Sequence, residues 1–274
     1  MKRGRQTWLG GLVLALAAIS IWARDLSWAA ASADTLPLAC GLPLAYLLGR
    51  PWHPGSAPFT RFKRLLVTLG AGGFACGWIL GSLSLLALSW TILGMLWAGW
   101  SFGTQPRRGR LGWLLLLSFP WLVIEWQPIG WAFRLSSATV AEQVFGLLRM
   151  PTLREGTRLE VMGVPITIDA ACAGWNLLQL TLLAGIAFGT HEIRPTHRFA
   201  LLLCLLPGIA WVANLLRILT LAGIALSFDV QVASGGIHGL TGLVVLGAVL
   251  AMTKGLCLLL DPPPAATSRI LNAI

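Results

Sequence analysis

Stretches of about twenty apolar residues, separated by short arginine-bearing turns, recur from one end of this 274-residue chain to the other. An α-helix rises 1.5 Å per residue, so about 20 such residues match the ~30 Å hydrocarbon core of a bilayer. In that medium every backbone N–H and C=O must be paired inside the protein, which leaves helices as the simplest spanning element. The pattern therefore restricts the chain to an all-α polytopic membrane protein. Composition agrees: 56% of the residues are hydrophobic and 11% charged, where soluble domains carry roughly a quarter charged residues. The net charge of +10 does not describe a nucleic-acid surface. The basic residues sit in short clusters between apolar runs, the positions that set membrane orientation.

About eight spans are expected, near residues 8–23, 34–49, 65–82, 84–103, 111–127, 172–190, 199–228 and 238–260. The second is short and interrupted by Pro37 and Pro43. Residues 65–103 are too long for one crossing and divide near Gly81-Ser82. Pro207-Gly208 is expected to kink the seventh span. The first run, Trp8 to Ala23, follows "MKRGR" and imitates a signal peptide, with small residues in "ARDLSWAAASAD" for cleavage. Retaining it as a span closes the count. With eight crossings, "MKRGR", "GRPWHPGSAPFTRFKR", "TQPRRGR" and "HEIRPTHR" share one side. Their density of Lys and Arg makes that side, and both termini, cytoplasmic in an inner membrane. The chain is then one integral-membrane domain, 1–274.

Residues 128–171 form an extracytoplasmic segment before span six, with four arginines offset by Glu142, Glu155, Glu160 and Asp169. "SSATVAEQVFGLLRM" reads as an amphipathic helix on the membrane surface. "GTRLEVMGVPITID" alternates as two short strands about a turn at Gly163. A small helix-and-hairpin cap thus leads into the spans of 172–260, where the reactive residues collect.

Of five cysteines, Cys40, Cys76, Cys204 and Cys257 lie in apolar runs, where cysteine behaves as a small hydrophobe. Cys172, in "DAACAGWNLLQL", stands at an outer boundary beside Ala171, Ala173 and Gly174. A structural role suits a lone cysteine, but a helix N-terminus also favours its thiolate. Asn176 and Gln179, at i+4 and i+7, give that face a polar stripe suited to a cavity. In "ANLLRILTLAG", Arg217 is set among leucines and isoleucine, with Asn214 one turn earlier. A charge there costs at least ~2.5–3.5 kcal/mol on insertion scales and normally faces a cavity or partner. Snorkelling, or pairing with Glu125 or Asp229, is the structural alternative. In "SGGIHGLTG", His238 opens the last span and Thr241 follows one turn along. His53, His191 and His197 belong to basic loops.

Cysteine, arginine and histidine from three spans are thus directed to one outer face. A thiolate nucleophile needs a proton donor for its leaving group, and histidine titrates in the right range. Arginine supplies positive charge where a tetrahedral oxyanion forms. The set specifies acyl transfer: Cys172 attacks a peptide carbonyl, His238 protonates the departing amine and Arg217 steadies the oxyanion. Asn176, Gln179, Asn214 and Thr241 are the substrate-facing polar residues. No cofactor is called for, and no carboxylate or second histidine joins the cluster as a metal site would require.

"ACAGWN", "NLLRI" and "HGLTG", in that order on successive late spans, resemble the exosortase/archaeosortase family of membrane cysteine transpeptidases. The resemblance covers mainly residues 165–250 and carries Cys172, Arg217 and His238 over as the catalytic set. Many bacterial members have serine after the cysteine and a nearer acidic residue; here Ala173 follows and Asp169 lies three residues before. The resemblance implies exported substrates with a C-terminal sorting tail: a short Pro-Glu-Pro-like motif, a transmembrane helix and a basic cluster. Cleavage through a thioester on Cys172 would pass the acyl group to an acceptor amine, often alongside exopolysaccharide production. The alternative is a multi-pass transporter or channel with Arg217 lining the path, but it predicts internal repeats and midplane polar residues that spans one to five lack. A thiol-disulfide oxidoreductase would need paired outer cysteines.

Overall fold

A computed structural model describes residues 2–30, 35–55, 58, 60–103, 107–168, 175–228 and 236–262. They are mostly helical and divide into two compact units, residues 1–127 and 128–274.

The first unit holds α1 (Lys2–Arg24), α2 (Ser27–Ala30), α3 (Thr35–Leu48), α4 (Arg61–Leu80), α5 (Leu83–Phe102), α6 (Arg108–Leu117) and α7 (Trp121–Glu125). The expected division at Gly81-Ser82 is present and has a local cause. Gly81 adopts φ 76°, which ends α4 in the left-handed conformation glycine tolerates, and the Ser82 hydroxyl accepts from Leu85 N–H to start α5. Glu125 completes that cap. Its carboxylate accepts from the backbone N–H of Leu83 and Ser84 and from the Ser84 hydroxyl. A negative charge at a helix N-terminus meets both the orphan donors and the dipole. This carboxylate, one suggested partner for Arg217, is therefore engaged at α5.

The expected fifth span, 111–127, is broken. Pro120 has no N–H to give Leu116 and its ring clashes with the preceding turn, so α6 stops at Leu117. The Trp121 indole donates to the Leu116 carbonyl at 2.8 Å, and Trp22 donates to that of Ser118 at 2.9 Å. Arg108 is equally committed: its guanidinium donates to the carbonyls of Gly49, Phe102, Gly103 and Pro51 at 2.7–3.3 Å and lies 4.6 Å over the Trp52 ring. The core joins Ile21, Leu86, Trp90 and Phe119.

The second unit holds α8 (Gln127–Leu147), strands β1 (Thr152–Glu155), β2 (Arg158–Val161) and β3 (Val164–Thr167), then α9 (Trp175–Glu192), α10 (Thr196–Ser227) and α11 (Gly236–Leu260). α8 starts nine residues before the expected 136, because a proline near a helix start costs no hydrogen bond and presets the backbone. The hairpin about Gly163 is present. Met162 (φ 53°) and Gly163 (φ 82°) make its two-residue turn, the twist-matched type with both residues left-handed. β1, absent from the sequence reading, adds a third antiparallel strand in the order β1-β2-β3. The helix does not simply lie on a membrane surface: Ala138, Ala141 and Phe145 of α8, Leu159, Val161 and Ile168 of the sheet segment, and Ile218 and Ala222 of α10 share one core. Trp211 adds a bond from its indole to the Ser136 hydroxyl at 2.9 Å.

Helices occupy each of the eight expected places. Among the described residues four are long and apolar enough to cross a membrane alone: Thr7–Arg24, Leu83–Phe102, Thr196–Ser227 and Gly239–Leu260. α3, with 14 residues, and α6, with 10, are too short for a ~30 Å core at 1.5 Å per residue. α10 runs as continuous helix through Pro207.

Candidate active site

The site region is built on α9, α10 and α11, and two glycines set its register. Gly185 and Gly189 lie one turn apart on α9 and present bare backbone to α10. A β-carbon on Gly189 would come within 2.6 Å of Leu202, and one on Gly185 would overlap Leu206. Four residues back along α9 therefore match four residues forward along α10. Followed further, the same antiparallel register brings Leu177 to Ala213, and these two share a buried cluster with Val249 of α11.

One end of this three-helix group is ion-paired. Lys254 of α11 meets Glu192 of α9 and lies 5.6 Å over the Phe188 ring. Arg198 donates to the Leu260 carbonyl at 2.8 Å and to Asp261 at 3.1 Å, while the Arg194 N–H donates to Asp261 at 2.7 Å. The other end holds the N-termini of α9 and α11 and the last third of α10.

Arg217 belongs to that second end. It is half-buried and ten residues before Ser227, about 15 Å from the helix end. Around α10, at ~100° per residue, Arg217 and Asn214 fall between two packed faces. Ile218 and Ala222 face the cap, and Ile209 and Ala213 face α9 and α11. Asn214 and Gln179 are fully buried. Burying an amide is costly unless it is hydrogen-bonded, and neither these two nor Arg217 and Thr241 lack a partner.

The remaining expected residues meet the limits of the described chain. Cys172 lies outside the described residues, three positions before the first residue of α9. Asn176 is the second residue of α9 and His238 the third of α11; their side chains are not described. Thr241 follows His238 by one turn and is half-buried. Backbone topology thus brings Asn176, Gln179, Asn214, Arg217, His238 and Thr241 to one end of the group. The sequence reading overlooked the Gly185–Gly189 pair, although two glycines four apart in an apolar run are its signal. Among the described residues no group of three or more His, Cys, Asp or Glu could hold a metal ion.

The sequence model of the family described as Transmembrane exosortase (Exosortase_EpsH) matches residues 2–255. The chain belongs to the transmembrane exosortase family. No curated protein and no solved structure matches it. Exosortases are membrane transpeptidases, so this chain is a multi-pass membrane enzyme that sorts proteins bearing a sorting signal, and the family's designation ties it to exopolysaccharide loci. The match runs through both units, so residues 1–127 are as much part of the exosortase as the helices that carry Arg217 and His238.

Proposed function

We propose that this exosortase cleaves the C-terminal sorting tail of exported proteins through a thioester on Cys172. The Cys172 thiolate attacks the carbonyl carbon near the sorting motif. Arg217 stabilises the oxyanion of the tetrahedral intermediate. The C–N bond then breaks, His238 gives its proton to the departing amine, and the acyl group remains on sulfur. An acceptor amine, or water in its absence, attacks the thioester and releases the thiolate. Asn176, Gln179, Asn214 and Thr241 form the polar lining of the substrate site, with Gln179 and Asn214 as its buried part. In this reading the enzyme is one integral-membrane domain, 1–274. Eight crossings, one through the short α3 and one through the broken α6–α7 pair, leave both termini in the cytoplasm, 128–171 caps the extracytoplasmic side, and 172–260 carry the chemistry that faces it.

One observation carries the proposal: the antiparallel register of α9 on α10. Gly185 against Leu206 and Leu177 beside Ala213 set Arg217 level with the first residues of α9. In the sequence Cys172 comes three positions before Trp175, where α9 begins. α11 runs parallel to α9, and His238 lies in its first turn at the same end.

The test is processing of a tailed substrate in cells at matched protein levels. Cys172→Ala should abolish it, and Cys172→Ser should be badly impaired because a hydroxyl ionises far less readily than a thiol. His238→Ala should lower it at least ~100-fold, the scale of lost general-acid catalysis. Normal processing by Cys172→Ala would end the proposal.

A further inference from the structure

The first unit has a half-open slot of about 700 Å³ between α1, α3, α5 and α6. Trp22, Leu42, Trp90 and Leu115 line one end, and Trp52, Gly103 and Arg108 the other. Lining residues run from Gly11 to Trp22 on α1 and from Trp90 to Gly103 on α5, which at helical rise is a length of about 16–20 Å. That is close to one leaflet, half of the ~30 Å hydrocarbon core.

Size decides between occupants. The volume spread over that length leaves a cross-section near ~40 Å², whereas a helix with side chains is ~10–12 Å across and needs at least twice that area. An acyl chain matches that section better than a whole helix does. A methylene group fills roughly the ~30 Å³ of one liquid water, so about twenty methylenes fit. That is one long acyl chain.

The Arg108 end has the chemistry of a headgroup boundary. Tyr46 stacks on Trp52 at 6.3 Å, and Trp52 and Trp97 meet Phe102 edge-on at 5.3 and 5.7 Å. Such aromatic collars sit at membrane–water interfaces. Arg50 lies 5.0 Å over the Tyr46 ring, and both Arg50 and Arg107 are exposed. Arg108 is held by backbone carbonyls and shapes the mouth. Segments 49–64 and 103–110 together contain seven Lys and Arg and no Asp or Glu, so the mouth favours a phosphate.

We propose that the cavity is a binding site for a resident anionic phospholipid. One acyl chain, from the leaflet on the arginine-rich side, fills the slot, and the phosphate lies against Arg50 and Arg107. The site is separate from the acyl-transfer chemistry and stands whether or not Cys172 is the nucleophile.

The test begins with the full chain purified in mild detergent, washed, and examined by native mass spectrometry and lipid extraction. About one phospholipid per chain should remain, enriched in anionic headgroups over the source membrane. Ala98→Phe, which fills the slot, should lower retention at least tenfold. Arg50→Ala with Arg107→Ala should keep a lipid but lose the anionic preference. A measurement on the unmodified chain guards against misfolded variants: vesicles containing phosphatidylglycerol or phosphatidylcholine with brominated chains. Quenching of tryptophan fluorescence should saturate at a lower fraction of brominated phosphatidylglycerol. Quenching that merely follows bulk composition, or equal lipid retention by a folded Ala98→Phe, would overturn the proposal.

Discussion

Residues 1–127 and 128–274 both bury polar groups in apolar surroundings, and they differ in which groups these are. Eleven of the fourteen tryptophans lie in the first stretch. Trp22, Trp28, Trp52, Trp90, Trp97 and Trp121 each donate an indole N–H to a backbone carbonyl, at 2.7–3.1 Å. Side-chain donors there repair breaks in the helices and tie one helix to the next. Both stretches also bring helices together through small residues, Gly70, Gly73 and Gly77 of α4 against α5 in the first and Gly185 and Gly189 against α10 in the second. The second stretch buries the amides Gln179 and Asn214 beside Thr181 and Thr253, where the first buries hydroxyls such as Ser89 and Ser118 and the guanidinium of Arg108. The first arrangement satisfies backbone and leaves a scaffold. The second holds polar amides and hydroxyls inside a group of helices.

Two arginines test this contrast most severely. Arg217→Ala should lower substrate processing by ~10²–10³-fold, the scale of removing an oxyanion donor, with thermal stability in detergent nearly unchanged. Arg108→Ala should do the reverse. Four loop carbonyls lose their donors, at about 2–4 kcal/mol of stability in all, while processing per folded molecule is kept. If both variants lose stability and neither loses turnover selectively, the two units do not differ as stated.

Gly185→Val probes the second unit's packing. A branched side chain would overlap Leu206, and overpacking of this kind costs roughly 1–3 kcal/mol. Because the contact sets the height of Arg217, processing should fall more than stability does, which a purely structural glycine would not produce. In the first unit, Glu125→Gln removes the charge from the α5 N-terminus. Thermal unfolding should register a loss of about 1–2 kcal/mol, with processing per folded molecule intact.

Much of the fold was legible because its signals are local. Apolar run lengths, Gly81-Ser82, and a turn-forming Gly163 between alternating strands each act within a few residues. β1 was not legible, since "TLRE" has no strong strand signature and forms by pairing with β2. The break at Pro120 was hidden by continuous apolarity, as hydropathy does not register a missing N–H. Arg217 stood out because one charge in an apolar run is costly. The Gly185–Gly189 register did not, because in a chain with 31 glycines a spacing of four is common and only the partner helix gives it meaning.

The smallest expected effect bears on how the first unit tolerates its broken helix. Trp121→Phe keeps most of the ring but removes the N–H that bonds the Leu116 carbonyl, so stability should drop by about 1 kcal/mol. That carbonyl is open to an indole because Pro120 cannot reach back to it. Pro120→Ala restores a backbone N–H at the right position along the chain. The cost of Trp121→Phe should therefore shrink in the Pro120→Ala background, giving a coupling of at least ~0.5 kcal/mol in a double-mutant cycle read by thermal unfolding. Additive effects would mean that tryptophan contributes only apolar area here, and the description of this unit as a set of repaired helix breaks would fail at the site where it is most specific.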